Sequence, residues 1–254
     1  MTKQWLVGAL MVVAATGSLA ATDFRNISSF SVENNFDGSF ETRLENVFLA
    51  PLVADRVLLQ VKLRNEVGNR FGESRSLTMA HLGPVLLLSP RLYSIISYGA
   101  GFRESGSLVH EGDLQLHYET SRYRVGGGLR GRLEPSDDVA YVVGSLGGRI
   151  AFPRGFGLQA TWYTGLDNDG DLSHSTWIEG DYAVTDAVAV KLGGTVDLGD
   201  GAGWADGSDT TYSLITGAAF RPSEVVAFRY QFDFIIRPDA DNGVRNLLLV
   251  DWRF

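Results

Sequence analysis

A cluster of arginines is the part of this sequence that could act most directly on a solute. Arg122, Arg124, Arg130 and Arg132 share one alternating segment, and Arg149 stands in the next. A row of guanidinium groups facing water would attract anionic solutes. The same groups could instead pair with acidic residues on facing strands and stabilise a wall. Both interpretations remain open, so the sign of any selectivity is open too.

Other charged residues also recur at every second position, opposite apolar neighbours. Val57, Leu59 and Val61, for example, alternate with polar positions that include Lys62. If the apolar face meets lipid, the charged face must surround a wet interior, where charges are tolerated at membrane depth. The predicted pore-lining residues are Arg56, Lys62, Arg64, Arg122, Arg124, Arg130, Arg132, Arg149, Glu179, Asp181, Lys191, Arg229, Asp233, Arg245 and Asp251.

The elements that position these residues are β-strands, because the hydrophobic period is two. Between Val226 and Ile236 the even positions are apolar or aromatic, whereas the odd positions include Arg229, Gln231 and Asp233. A helix would mix the two sets. Each alternating segment has about the ten residues that a tilted strand needs to cross a bilayer.

Two alternating kinds of connection separate the strands. Short turns with Pro or Asp, such as Phe152 to Gly155, alternate with longer polar segments, such as Gly68 to Ser74 and Gly199 to Asp209. Short periplasmic turns and longer extracellular loops are typical of a transmembrane antiparallel up-and-down β-barrel. The breaks predict an all-β domain of about fourteen strands, or twelve if one hairpin is lost.

A soluble β-sandwich is the competing architecture, since its strands also alternate. Two features favour the barrel. Glycines such as Gly99, Gly126 and Gly193 stand on the polar face, where they indicate bends or close approach by neighbouring side chains. Aromatic residues fall near both strand ends, as bilayer interfaces select: Phe152, Phe156, Phe220, Trp252 and Phe254 near the short turns, and Phe102, Trp162 and Phe234 near the loops.

The first residues predict an exported protein. Lys3 precedes an apolar run from Trp5 to Ala15, and Ser18 and Ala20 fit cleavage before Ala21. The run is about half of the ~20 residues that a transmembrane helix needs, so residues 1–20 are predicted to be a signal peptide and residues 21–254 the barrel domain. The chain has no Cys, and its net charge of −8 argues against a nucleic-acid partner.

The alternation, the turn and loop asymmetry, and the ending from Leu249 to Phe254 resemble outer-membrane porins of bacteria. In size and strand count the chain is similar to small monomeric channels of the OmpG or oligogalacturonate-porin (KdgM) type. The resemblance implies an outer-membrane channel for ions and small hydrophilic solutes. The signal peptide predicts export by the Sec pathway, and the lack of a surplus polar stripe on the predicted lipid face favours a monomer in the outer-membrane bilayer. The resemblance also implies that Trp252 and Phe254 form a signal for the outer-membrane assembly machinery.

Other functions are weaker hypotheses. A non-conducting barrel could serve adhesion or assembly. A barrel hydrolase would need a nucleophile, a base and an orienting group within reach of one another. His81 has no recognisable Ser motif beside it, and His174 lies near the acidic segment Asp167 to Asp171. That segment departs from the EF-hand pattern. We therefore predict no catalytic residues, no metal site and no cofactor.

Overall fold

The computed structural model describes residues 24–53, 56–70, 73–135, 139–198, 210–238 and 241–253, apart from the side chains of residues 70 and 73. In these ranges fourteen antiparallel strands form one closed barrel. The strands are β1 (Arg25–Asn35), β2 (Phe40–Val53), β3 (Val57–Arg70), β4 (Glu73–Ser89), β5 (Leu92–Arg103), β6 (Leu108–Glu119), β7 (Tyr123–Glu134), β8 (Val139–Ala151), β9 (Phe156–Asp167), β10 (Leu172–Ala183), β11 (Val188–Leu198), β12 (Thr211–Phe220), β13 (Val226–Ile236) and β14 (Gly243–Arg253).

Closure depends on the seam between the first and last strands. β1 pairs with β14 from Arg25↔Arg253 to Asn35↔Gly243, and on its other edge it pairs with β2. Every strand therefore has two hydrogen-bonded neighbours, which is the condition for a sheet to lie in hydrocarbon without stranded N–H and C=O groups. The prediction of an up-and-down barrel of about fourteen strands is confirmed.

The two ends of the barrel differ in their connections. At the end that we call the turn end, β2–β3, β4–β5, β6–β7, β8–β9, β10–β11 and β12–β13 are joined by short turns, one of them the 3-10 turn Pro153–Gly155. At the opposite loop end, the longest connection spans residues 199–210. The first and last strands both end beside the turns, at Arg25 and Arg253.

One loop is shorter than the sequence predicts. The segment from Gly68 to Ser74 was predicted as a polar loop, yet strand pairing continues to Asn69↔Ser74 and Arg70↔Glu73. Only residues 71–72 remain between β3 and β4. Gly68 suits a strand here because a Cβ at this position would lie 2.8 Å from the Phe40 oxygen of β2. The glycine marks close approach rather than a chain break.

The outer face is apolar and the inner face is polar. Leu82, Leu146 and Leu192 on the outside are 58%, 59% and 60% exposed, whereas Arg64 and Glu66 on the inside are 1% and 0% exposed. This is the reverse of a soluble sandwich, whose apolar side chains would fill a core. No helix among the described residues is long and apolar enough to cross a membrane.

Aromatic side chains lie at both rims of the outer face. At the turn end Phe152, Phe156, Phe220 and Trp252 are between 41% and 50% exposed. Phe102 and Trp162 are similarly exposed nearer the loop end, at 57% and 48%. Phe234 is half-buried and packs against Phe36, with ring centroids 6.4 Å apart. The arrangement matches the two aromatic girdles that bilayer interfaces favour.

Several predictions concern residues outside the described ranges. They are the signal peptide at residues 1–20, the acidic loop from Gly199 to Asp209, and the terminal aromatic Phe254.

Candidate functional site: the charged inner wall

The predicted pore-lining residues within strands all lie on the inward face. Lys62 and Arg64 occupy buried positions of β3 that alternate with the exposed residues Leu63 and Asn65. On β7, Arg130 and Arg132 are buried between the exposed Leu129 and Leu133. The remaining inward members are Arg124 on β7, Arg149 on β8, Glu179 and Asp181 on β10, Lys191 on β11, Arg229 and Asp233 on β13, and Arg245 and Asp251 on β14. Arg56 and Arg122 differ, because both lie exposed in turns at the turn end.

Glu111 on β6 is the centre of the densest charge cluster. Its carboxylate accepts hydrogen bonds from Arg64 Nη1 and Nη2 at 3.3 and 3.0 Å. Arg130 Nε lies 3.7 Å from Glu111 Oε1, and His81 Nε2 lies at the same distance. Arg64 also contacts Glu66, with Nε 3.3 Å from Oε1. We call Arg64, Glu66, His81, Glu111 and Arg130 the Glu111 cluster; it joins strands β3, β4, β6 and β7 across the inside of the barrel.

The wall continues from this cluster in both directions. On β2, Arg43 bridges Glu45 and Glu66, with nitrogen–oxygen distances of 2.8 and 3.6 Å. On the other side, Glu134 of β7 accepts two hydrogen bonds from Arg103 of β5, at 2.6 and 2.9 Å. Arg132 Nη2 also lies 2.8 Å from Glu134. These acidic residues neutralise much of the positive charge on β2 to β7.

A second series of ion pairs crosses β8 to β14 and reaches the seam. Arg149 pairs with Asp181 at 2.9 Å, Lys191 with Glu179 at 3.0 Å, and Arg245 with Asp233 at 2.6 Å. Arg25 on β1 binds both carboxylate oxygens of Asp251 on β14, at 2.7 and 2.5 Å. This last pair is buried and fixes the register where the barrel closes.

Glycines lie beneath the pairs that skip a strand. A Cβ on Gly157 of β9 would lie 2.5 Å from both Arg149 Nη2 and Asp181 Oδ1, which meet above it. Lys191 of β11 likewise reaches Gln231 of β13 over Gly217 of β12, where a Cβ would lie 2.6 Å from the lysine chain. The absence of a side chain on the middle strand lets its two neighbours bond directly. The prediction of close approach was made for other inward glycines, and it is confirmed at Gly99 and Gly126, where a Cβ would lie 2.4 and 2.3 Å from the rings of His81 and His117.

The five arginines of the predicted basic cluster, Arg122, Arg124, Arg130, Arg132 and Arg149, differ in whether they form ion pairs. Arg130, Arg132 and Arg149 each contact a carboxylate, which favours the wall-stabilising interpretation for those three. Arg124 instead lies near Tyr93 of β5. Arg122 lies exposed in its turn.

Four inward cations lack an ion pair within the described residues. They are Lys62, Arg124, Arg229 and Arg253. An unpaired cation at membrane depth requires water or a solute anion beside it. The inner wall therefore has two components, a paired lattice and a few open positive sites.

An apolar cluster on the inner face is absent from the sequence prediction. The cluster lies near the turn end, on strands β1 to β5 and β14, and its side chains are 1–7% exposed. Its members are Ile27, Val47, Leu49, Leu58, Val85, Tyr93, Ile95 and Leu249. Several of these residues stand in apolar runs, such as Val57 to Leu59 and Leu247 to Val250, where both faces are apolar and alternation gives no signal. A run without alternation is the sequence feature that could have indicated a second, inward-facing apolar surface.

The turn end also contains an open cavity of about 290 Å³, which adjoins the apolar cluster at Leu249. Inward residues of β8–β14 line it, among them Arg149, Trp177, Lys191, Arg229 and Leu247. We call it the turn-end cavity.

The catalytic and metal alternatives gain no geometric support. His174 lies on the outer face, where its ring stacks on Trp162 with centroids 5.8 Å apart. Asp167 accepts hydrogen bonds from the backbone N–H groups of Asp169 and Asp171, both at 3.0 Å, so its carboxylate shapes the turn. In the described ranges, no three His, Cys, Asp or Glu side chains are placed to hold a metal ion.

No protein-family model matches this chain, and no curated protein matches its sequence. Solved structures do match. A monoaromatic hydrocarbon channel, CymD, has a TM-score of 0.69 at 10% identity, covering 100% of this chain and 95% of its own. The toluene transporter TbuX of Ralstonia pickettii has a TM-score of 0.64 at 10% identity, covering 100% and 96%. A bacterial polysaccharide outer membrane secretin has a TM-score of 0.61 at 12% identity, covering 93% and 99%.

This chain has the fold of outer-membrane β-barrels. At 10–12% identity the similarity extends to the fold and not to any solute. The charged inner wall must therefore be interpreted from its own residues.

Proposed function

We propose that this protein is an outer-membrane channel through which ions and small hydrophilic solutes diffuse passively. The observation that carries the proposal is a closed barrel with an apolar outside and an inner wall that contains both ion pairs and unpaired cations. Charges at bilayer depth are tolerated where they pair or face a wet cavity. Arg229 has no ion pair among the described residues and lines the open turn-end cavity, which favours water inside the barrel.

The similar solved structures support a channel, because their names describe a hydrocarbon channel and a toluene transporter. We further propose export by the Sec pathway after cleavage near Ala21, with Trp252 and Phe254 serving as the assembly signal. We propose a monomer, since many exposed side chains on the outer face of the described strands are leucine, valine and aromatic residues, as expected for a surface that contacts lipid. These proposals place the turn end in the periplasm.

Planar-bilayer recording of the purified mature protein tests the channel. We expect discrete conductance steps that scale with salt concentration. Denatured protein added at the same dose serves as the control for leakage by aggregates. If correctly folded protein gives no steps over a range of pH and salt, the channel is refuted and a non-conducting structural or adhesion barrel replaces it.

The sign of selectivity requires a second measurement. Changing Arg130 to Gln together with Asp113 to Asn, and Arg132 to Gln together with Glu134 to Gln, removes both pairs without changing the total charge of the inner wall. If these arginines only stabilise the wall, the reversal potential in a salt gradient should stay nearly unchanged. A large shift toward cation selectivity would instead support the arginines as a conducting basic track. Heat-modified gel mobility verifies that each variant remains folded.

A channel for apolar solutes is the second candidate. The specific observation in its favour is the inward apolar cluster at the turn end of β1–β5 and β14. Uptake of a labelled monoaromatic compound by cells that express the protein tests it. Substituting Leu58 by Asn would reduce that uptake but leave ionic conductance in place. Equal uptake with and without the protein would eliminate the candidate.

A further inference from the structure

The turn-end cavity has the size and shape of a small-molecule site. Its volume of about 290 Å³ is near the lower limit of ~300 Å³ for ligand pockets. Alanines occupy the inward positions nearest the turns: Ala183, Ala189 and Ala219 are register neighbours, and Ala227 stands on β13. These small side chains keep the mouth of the cavity open toward the turn end.

Arg229 is the unsatisfied charge inside this cavity. Two neighbouring cations of the cavity already form ion pairs, Arg149 with Asp181 and Lys191 with Glu179. The carboxylate of Asp251, beside β13 on the adjacent strand, is held by both nitrogens of its own arginine partner on β1. Within the described part of the chain, no side chain or backbone atom hydrogen-bonds to the Arg229 guanidinium. The N–H groups of a guanidinium without such partners can bind a carboxylate, because the planar guanidinium donates two parallel hydrogen bonds to the two carboxylate oxygens.

Trp177 gives the same cavity an aromatic surface. It lies on the inward face of β10, between Thr161 and Thr195 in register, and is 6% exposed. Leu247 and Leu249 of β14 also line the cavity. Tryptophan and leucine side chains pack well against the face of a flat or chair-shaped ring, and tryptophan adds a polar N–H.

We infer that the turn-end cavity binds solutes that combine a carboxylate with a six-membered ring, with Arg229 receiving the carboxylate and Trp177 packing on the ring. This inference deepens the proposed channel function, on which it rests, by naming a class of solute. The shared chemistry occurs in aromatic carboxylates such as benzoate and in sugar acids such as glucuronate.

The acidic residues of the cavity do not cancel this preference. Glu179 and Asp181 are held by Lys191 and Arg149. Asp186 lies exposed in the β10–β11 turn, where water screens its charge. Arg221 also lines the cavity but lies exposed at the turn end, so the inward cation of the cavity that has no ion pair among the described residues is Arg229.

Calorimetric titration of the folded protein in detergent micelles tests the site with four probes. Benzoate and glucuronate carry both features, acetate carries the carboxylate alone, and glucose carries a ring alone. We expect binding of one or both ring carboxylates to exceed that of acetate and glucose at least tenfold. The arm that binds more tightly, benzoate or glucuronate, identifies which kind of ring the cavity prefers. Equal binding of all four probes, or none, overturns the site.

Matched variants separate the two contacts. Arg229→Gln should weaken binding of the ring carboxylate by ten- to a hundredfold, whereas Arg91→Gln, the same charge change in an exposed turn at the same end, should leave it within twofold. Trp177→Leu should weaken the ring carboxylates and leave acetate unchanged. If Arg229→Gln binds like the unaltered protein, the assignment of the carboxylate is wrong.

Bilayer recordings of the same samples keep the two proposals distinct. Conductance without carboxylate binding refutes the site and leaves the channel. Carboxylate binding without conductance refutes the channel and its solute, while it leaves Arg229 in a binding site.

Discussion

Glu111 should be among the most sensitive acidic residues of the inner wall. Its side chain is fully buried and accepts two hydrogen bonds from Arg64, at 3.3 and 3.0 Å. Glu111→Gln keeps the size of the side chain but removes its charge, and it turns one acceptor into a donor that faces a guanidinium. Arg64 and Arg130 would then confront each other with less negative charge between them.

The magnitude follows from the bonds that are lost. Hydrogen bonds to charged groups contribute about 1.5 kcal/mol or more each, so two of them amount to about 3 kcal/mol of unfolding free energy. Removing one partner from a buried pair typically costs ~3–5 kcal/mol. Glu66 and Asp113 remain beside Arg64 and Arg130 and limit the loss. We therefore expect about 3 kcal/mol, the lower end of that range.

Equilibrium unfolding in urea, with the protein in lipid vesicles and followed by tryptophan fluorescence, measures this loss. Asp181→Asn is the matched control, because its pair with Arg149 is roughly a quarter exposed and should contribute at most about 1 kcal/mol. A loss below 1 kcal/mol for Glu111→Gln, or an equal loss for both variants, would refute the idea that the Glu111 cluster stabilises the barrel.

Three further predictions concern the strands. Gly83→Ala should prevent folding or cost several kcal/mol in urea unfolding, since its Cβ would lie 1.8 Å from a backbone oxygen of β5, whereas Gly112→Ala, with no atom within 4 Å, should be nearly neutral. Asp251→Asn should slow insertion into vesicles, measured by gel shift, because it breaks the buried pair at the seam; an unchanged rate would place closure after the rate-limiting step. In single-tryptophan variants, brominated lipid should quench Trp252 and spare Trp177; quenching of both would contradict the assigned faces.

The face assignment was predictable from sequence because it depends on a period of two. The prediction placed Arg64, Arg130 and Asp233 on the inside, and the structure has them there. Strand count followed from the same alternation and from the turn residues. At Gly68 the interpretation failed, since a glycine at a strand end and a glycine in a loop have the same local sequence.

Pairing partners were not predictable from one sequence. Arg149 and Asp181 lie on strands that are not adjacent, and they meet only because Gly157 stands between them in register. Register depends on the hydrogen bonding of whole strands, which a local pattern does not specify. The inward apolar cluster was missed for a different reason, because runs such as Leu247 to Val250 are apolar on both faces.

The inner wall is asymmetric, and the asymmetry bears on where a solute would pass. From β2 to β7, long side chains reach over two or three strands and are almost inaccessible, as Glu66 and Arg132 show at 0% and 1% exposure. From β8 to β14, the side chains that bond across a strand lie close to the wall, because Gly157 and Gly217 beneath them have no side chain. The turn-end cavity lies on this side of the barrel. A solute path would therefore be off-centre, along β8 to β14 and past Arg229. The ion pairs of β2 to β7 stabilise the barrel, whereas the unpaired arginine on the open side would govern which ions cross it.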